Sequence, residues 1–391
     1  MKILVFNVKY SENLGDGILA QCIEHALTMD AGTQVETIDL AGRTAFGTTH
    51  QNRQYAIHVL HALPSFARRF AVTSILRPKL EKLEREWNRK LAAVDAVVLG
   101  GGNLFQDDDL NFPLKIGTLL ECIRRSGKPL AIYAVGVGGD WSAQARELFG
   151  LVEKTNLVHL SVRDGKALEN WNRHFREGPA PTIVPDPGLL ATHFLEGETE
   201  LDRTGGKVGI CVTDPVILTR HAGRRSAEIC FRRAEEYREL IRLLARKGCS
   251  VRLFTNGARE DQRFAEKVLN DEDMILYRTT GVIDLIERPQ VPQDVMDILR
   301  SLSVIVAHRL HACIAAYSLG VPHVGLGWDT KVASFFRSVG REAYFAGGKT
   351  ATPAHVAALV TEAEANGIDP DRHDAKLLEA LEGVRCMQNK F

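Results

Sequence analysis

The sequence predicts an α/β protein of two consecutive parallel sheets, each wrapped by helices, and three observations carry that prediction. Short β-rich runs alternate with segments whose apolar residues recur at helical spacing. The 391 residues exceed what one ordinary core supports, so two or three domains are expected. A polar stretch, Glu196-Gly197-Glu198-Thr199-Glu200, leading to Gly205-Gly206, divides the alternation into two halves.

In the first half the expected strands are Ile3 to Asn7, Val35 to Leu40, Ala96 to Leu99, Leu130 to Val137, Val158 to Val162 and Thr182 to Val184. Each is a short apolar or β-branched run of the kind that parallel strands buried on both faces require. Between them, Gly17 to Met29 and Phe112 to Arg125 carry helical patterns. The second half repeats the rhythm with Val208 to Val212, Val251 to Phe254, Met274 to Tyr277, Val304 to Ala307 and His323 to Leu326. Its long amphipathic segment Ala227 to Lys247 ends at Gly248, which reads as a C-cap. Ala354 to Met387 is helical in pattern and is expected to cross back onto the first domain. The domains are therefore set at 1–198, 199–348 and, for the C-terminal helices, 349–391, with ligands expected in the cleft between the first two.

Lys plus Arg equals Asp plus Glu at 49 each, so no overall field favours nucleic acid as a partner. Met1-Lys2-Ile3-Leu4-Val5-Phe6-Asn7 is too short an apolar run for a signal peptide, and no stretch approaches the roughly 18 apolar residues of a membrane span. A cytoplasmic protein is expected. Seven scattered cysteines without a CxxC pair read as small buried hydrophobes.

Chemistry is expected first at Ala307-His308-Arg309-Leu310-His311-Ala312, where a buried apolar run gives way to a helix and the helix N-terminus already favours an anion. His308 is turned roughly 100° from Arg309 on a helix and is expected to pack or face water. His311 stays ambiguous on sequence geometry alone. Lys331, one βα unit further on, is expected at the same sheet edge, completing a candidate anion pocket with Arg309 and His311.

Gly100-Gly101-Gly102-Asn103 follows a strand, and its N–H groups suit either an anion or a tight structural turn. Asn13-Leu14-Gly15-Asp16 occupies the first strand-to-helix loop, where Asp16 is expected to cap the helix or contact a substrate hydroxyl. Ser161-Val162-Arg163-Asp164 delivers Arg163 to a strand end, as a salt-bridge partner or an anion fork. Asp107-Asp108-Asp109 reads as a solvated acidic tip, so no metal is assigned. The basic segments Phe66 to Lys90 and Arg220 to Arg233 read as solvated faces, with peripheral contact to anionic lipid head groups as the alternative.

Taken in order, Asn13-x-Gly-Asp16, Gly100-Gly-Gly-Asn103, Ser161-x-Arg163-Asp164, Val184-Pro-Asp186-Pro, Arg309-Leu310-His311 and Asp329-x-Lys331 resemble the polysaccharide pyruvyl transferase family over about residues 1 to 345. The resemblance implies two Rossmann-like domains in the manner of type B glycosyltransferases. It also implies transfer of a pyruvyl group from phosphoenolpyruvate to two hydroxyls of a sugar, in an exopolysaccharide, capsule or cell-wall glycan precursor. Arg163, Arg309, Leu310 and Lys331 are thereby assigned to the donor and His311 to proton transfer. Asn13, Asp16, Gly101, Gly102, Asn103 and Asp186 become cleft or acceptor candidates. No cofactor beyond phosphoenolpyruvate as co-substrate is required. A lipid-linked oligosaccharide acceptor would bring the protein to the inner face of the membrane. The family often has a proline after the Gly136-Val-Gly run, whereas this chain has Gly139-Asp140, so acceptor handling is expected to differ. A nucleotide-sugar glycosyltransferase of the same architecture and a non-catalytic glycan-binding relative are the alternatives.

Overall fold

Ile3, Leu4, Val5 and Phe6 are all buried, as are Val304, Ile305, Val306 and Ala307. Strands buried on both faces are what parallel sheets under two helical layers demand. The computed structural model describes residues 1–47, 64–175, 178–195, 197, 205–222 and 229–391. The chain forms two units, one of Met1–Ser11, Leu19–Pro187 and Glu379–Phe391, the other of Glu12–Ile18 and Gly188–Leu378.

The first unit carries a six-stranded parallel sheet of β1 (Lys2–Asn7), β2 (Gln34–Asp39), β3 (Ala96–Phe105), β4 (Pro129–Val137), β5 (Asn156–Val162) and β6 (Thr182–Ile183), in the order β2-β1-β3-β4-β5-β6. Its direction of winding reverses between β1 and β3, and ligands bind at the carboxyl ends of strands at such switch points. Trp87, Phe105, Phe149 and Trp171 fill the core around the sheet.

The second unit repeats the plan with β7 (Lys207–Cys211), β8 (Ser250–Phe254), β9 (Ile283–Leu285), β10 (Val304–Ala307), β11 (His323–Leu326) and β12 (Phe345–Ala346), in the order β12-β11-β10-β7-β8-β9. Here the switch point lies between β7 and β10, with Cys211 opposite Ala307 at their carboxyl ends. Among the described residues no helix is long and apolar enough to cross a membrane.

Several expectations are corrected. Met274–Tyr277 is not a strand but part of the helix Glu272–Thr279, capped by Asp271 accepting from the Asp273 amide, and the strand follows at Ile283–Leu285. Ile275 and Leu276 are exposed on that helix, while Met274 is buried and Tyr277 packs against the core partly buried. The amphipathic helix starts at Ala234 rather than Ala227, its first turn fixed by Glu236 accepting from the Arg233 amide at 2.8 Å. Residues 223–228, with Arg224 and Arg225 of the second basic segment, lie outside the described residues, as do most of the polar residues between Leu195 and Gly205.

The division between units falls at Pro187/Gly188, ahead of Leu195, and Glu379–Phe391 belongs with the first unit. There Gln388 Nε2 donates to the Leu27 carbonyl at 3.2 Å. The acidic tip is not solvated in the way expected. Asp107 accepts from the Leu110 and Ser142 amides at 2.9 and 2.8 Å, and Asp109 pairs with Arg68 of the first basic segment at 2.7 Å.

Candidate active site

In the second unit the chemistry gathers at the carboxyl ends of β10 and β11. β10 ends at Ala307, and Arg309 is the N-cap residue of the helix Leu310–Ser318, in extended backbone conformation. The first amides of that helix have no intrahelical acceptor, which leaves partial positive charge at this edge. Arg309 stands beside Asp261, a fully buried residue of the helix Arg259–Leu269 that follows β8. Its Nε and Nη2 donate to Asp261 Oδ2 at 3.1 and 2.5 Å. Burial pushes the Asp261 carboxyl up, opposed by Arg309 and by the Asp214 amide; burial works most strongly against the Arg309 charge, but Asp261 together with Cys211 and Glu260 raises that group on balance. Leu310 is buried, so what it can offer a ligand is its main chain.

His311, on the first turn of the same helix, meets a segment from the far end of the sequence. Asp16 Oδ1 lies 3.5 Å from His311 Nδ1. Asp16 is not the N-cap residue of its helix, which already starts at Leu14 and places Asp16 in the first turn. The approach is built by Asn256, which is fully buried just past β8. Its Nδ2 donates to Asn13 Oδ1 at 2.6 Å and its carbonyl accepts from the Leu14 amide at 2.8 Å. Gly15 makes the fit possible, because a Cβ there would overlap His311 Cβ and reach within 2.9 Å of Asn256 Nδ2.

Lys331 belongs to the helix Thr330–Ser338, whose N-cap Asp329 accepts from the Lys331 amide. Its Nζ lies 3.4 Å from Asp329 Oδ2 and 4.4 Å from the centre of the Trp328 ring. Trp328 Nε1 donates to the His308 carbonyl at 2.7 Å, which ties the lysine's platform to the turn that carries Arg309. His308 packs rather than facing water. It is fully buried, its Nε2 is 2.8 Å from the Cys230 carbonyl, and burial holds it down at about 4.

The remaining candidates form a second group within the first unit. Gly100–Asn103 does not make a loop after the strand. It lies inside β3, which runs on to Phe105 with an irregular register past Gly102. Gly101 and Gly102 have φ values of 75° and 82°, and a Cβ on Gly101 would overlap Leu19, which favours the structural reading of that glycine. Asn103 Nδ2 donates to Gln106 Oε1 at 2.6 Å. Across β4, Gly136 lies under two functional groups: its Cβ, if present, would stand 2.5 Å from Asn103 Oδ1 and 2.8 Å from Arg163 Nη2.

Arg163 is only 5% exposed, with Nε 3.7 Å from Asp164 and Nη1 3.7 Å from the buried Asp186. Both carboxylates neutralise it at a distance too long for a direct hydrogen bond. Asp164 instead caps the helix Gly165–His174 by accepting from the Ala167 amide. Ser161 of the same motif accepts from the Ala134 amide at 3.1 Å, where Ala134 has a φ of 49° and β4 slips its register against β5. Strain of this kind persists only where the surroundings fix it, and here it sits two residues from Gly136.

Sequence reasoning missed Asp261, Asn256 and Trp328. An Asp in the first turn of a helix, an Asn after a strand and a buried Trp are ordinary in themselves, and no local signal marks them. Among the described residues no three His, Cys, Asp or Glu side chains gather as a metal site would require.

Two six-stranded parallel sheets, each reversing its direction of winding at one switch point, define a protein of the double Rossmann-like class. Solved structures agree on the fold. MnaA of S. aureus, in a co-structure with UDP, is similar with a TM-score of 0.56 at 12% identity, over 97% of this chain and 91% of that one. UDP-N-acetylglucosamine 2-epimerase from Rickettsia bellii is similar with a TM-score of 0.53 at 12% identity, over 99% of this chain and 95% of that one. The epimerase from Methanocaldococcus jannaschii also reaches 0.53, at 11% identity over 92% of each chain. Identities this low speak for the fold alone. No curated protein matches the sequence. Residues 13–330 match the family described as Polysaccharide pyruvyl transferase, and the chain belongs to that family.

Proposed function

We propose that the protein transfers the pyruvyl group of phosphoenolpyruvate to two hydroxyls of a sugar, forming a cyclic ketal on a glycan precursor. The observation that carries this reading is the set of three groups at one sheet edge of the second unit: the Arg309 guanidinium, the His311 imidazole beside Asp16, and the Lys331 ammonium on Trp328. Phosphoenolpyruvate carries a carboxylate and a phosphate, and a fork, a point charge and a helix N-terminus are suited to both.

In the reaction C3 of the enol takes a proton, and C2 becomes an oxocarbenium-like centre. A sugar hydroxyl adds to C2 and gives up its proton. The C2–O bond to phosphate then breaks, and a second hydroxyl closes the ring while its proton leaves with inorganic phosphate. His311 is the proton carrier, and its Asp16 partner favours one orientation of the ring. Arg309 and Lys331 hold the donor and stabilise the departing phosphate, with Arg163 assigned to the donor by the family motif. Asn103 and Asp186 of the first unit and Asn13 of the second are acceptor-side groups in this reading. A lipid-linked sugar acceptor would place the reaction at the cytoplasmic face of a membrane.

The test is incubation with phosphoenolpyruvate and a panel of nitrophenyl and lipid-linked sugars, with phosphate release and a pyruvyl ketal read by mass spectrometry. Ketal product with phosphate released is the expected result. Sugar transfer from a nucleotide donor instead, or no binding of phosphoenolpyruvate at all, overturns the reading.

A further inference from the structure

We infer that Asp261 is the positioning residue of this anion site: its buried carboxylate grips one edge of the Arg309 guanidinium so that the other edge is presented to the ligand. The inference rests on the reading of Arg309 as a donor-binding group. An arginine has five N–H donors in a planar fork. Nε and one N–H of Nη2 go to Asp261 Oδ2 at 3.1 and 2.5 Å, and no other side-chain hydrogen bond of Arg309 occurs among the described residues. What is left is the end-on pair, Nη1 and the second N–H of Nη2, which matches the two oxygens of a carboxylate or phosphate.

The grip is itself anchored. Asp261 Oδ1 accepts from the Asp214 amide at 2.8 Å, and Asp214 lies just past β7, the strand beside β10. The carboxylate therefore joins both sides of the switch point with each of its oxygens used. Asp261 has no exposed surface, whereas the Arg309 side chain keeps 14%. Because the donors are fixed before a ligand arrives, less ordering is needed on binding.

The sign of one substitution separates positioning from simple charge balance. Asp261→Asn removes a negative charge beside Arg309, which by electrostatics alone strengthens attraction for an anion. If Asp261 positions Arg309, the same change instead raises KM for phosphoenolpyruvate about tenfold or more, the scale of a lost charged hydrogen bond, and lowers kcat/KM by at least the same factor. In an Arg309→Ala background, Asp261→Asn is then expected to add nothing. Thermal unfolding reports whether the variant is folded. Arg309→Lys is the second variant, because it keeps a cation but cannot both reach Asp261 and present a fork, and it is expected to raise KM by a similar factor.

An unchanged or lower KM in folded Asp261→Asn, or penalties that add in the double variant, overturns the inference. Should Asp261→Asn fail to fold, a wild-type KM in Arg309→Lys overturns it. The reading of the donor site fails separately, and the inference with it, if Arg309→Ala binds phosphoenolpyruvate as tightly as the wild type in calorimetry.

Discussion

Asp16 and His311 lie almost three hundred residues apart in the chain, yet Asp16 Oδ1 stands 3.5 Å from His311 Nδ1 within one unit. A carboxylate against one ring nitrogen favours one orientation of the imidazole, which the proposed role of proton carrier requires. His311→Ala is expected to abolish transfer while phosphoenolpyruvate still binds. Asp16→Asn keeps the side chain's size and is expected to slow kcat by roughly 10- to 100-fold. Phosphate-release kinetics beside calorimetric binding check both, and an active His311→Ala removes the residue from the mechanism.

Gly15 is the hinge of that arrangement. Gly15→Ala would place a methyl group on His311 Cβ, at an overpacking cost of about 1–3 kcal/mol and with the imidazole displaced. Gly150→Ala, where a Cβ meets nothing within 4 Å, is the control and is expected to be neutral or slightly stabilising. Urea unfolding and activity measured on both variants decide whether the effect belongs to the contact.

Trp328 supports Lys331 through its ring and the His308 carbonyl through its Nε1. Trp328→Phe keeps a ring but strands a buried carbonyl, at about 1–3 kcal/mol of stability. Lys331→Met is expected to weaken phosphoenolpyruvate binding with little change in unfolding midpoint. Binding that is unaffected by Lys331→Met would remove the lysine from the donor site.

In the first unit, Arg163 is nearly buried between two carboxylates at 3.7 Å. Arg163→Lys replaces a fork by a point charge and is expected to lower donor affinity about tenfold. Gly136→Ala, which would crowd both Asn103 Oδ1 and Arg163 Nη2, is expected to impair activity by disturbing the same groups. Steady-state kinetics with varied phosphoenolpyruvate is the measurement, and a wild-type KM in Arg163→Lys contradicts the assignment.

Stability should fall in mild acid. Burial holds His308 at about 4 and His323 at about 3, both below the ordinary 6.5. A group whose pKa is depressed on folding is protonated more readily in the unfolded chain. Its contribution is therefore complete above about pH 6.5 and is lost as the pH falls toward the folded value. Each histidine should remove about 2 kcal/mol between about pH 7 and about pH 5. Denaturant midpoints at the two values test this, and His308→Gln should be less acid-sensitive than the wild type.

The sequence by itself determined ten of the twelve described strands, all but β9 and β12, and the strand-to-helix junctions that carry the candidate residues. Parallel strands buried on both faces must be short continuous apolar runs, and Val304-Ile305-Val306-Ala307 with Arg309 and His311 behind it is legible locally. Local pattern failed where it carries no direction. Met274–Tyr277 is too short to tell a strand from a helix, and three glycines after Leu99 look like a loop although they continue β3. Only the tertiary structure decided what holds each functional group. Asp261 meets Arg309 because two helices start from strands of one sheet, and Asp16 meets His311 because Asn256 binds the segment Asn13–Leu14. Such partners are chosen by which strand ends come together in space, and neither hydrophobic period nor residue type encodes a contact across that much chain.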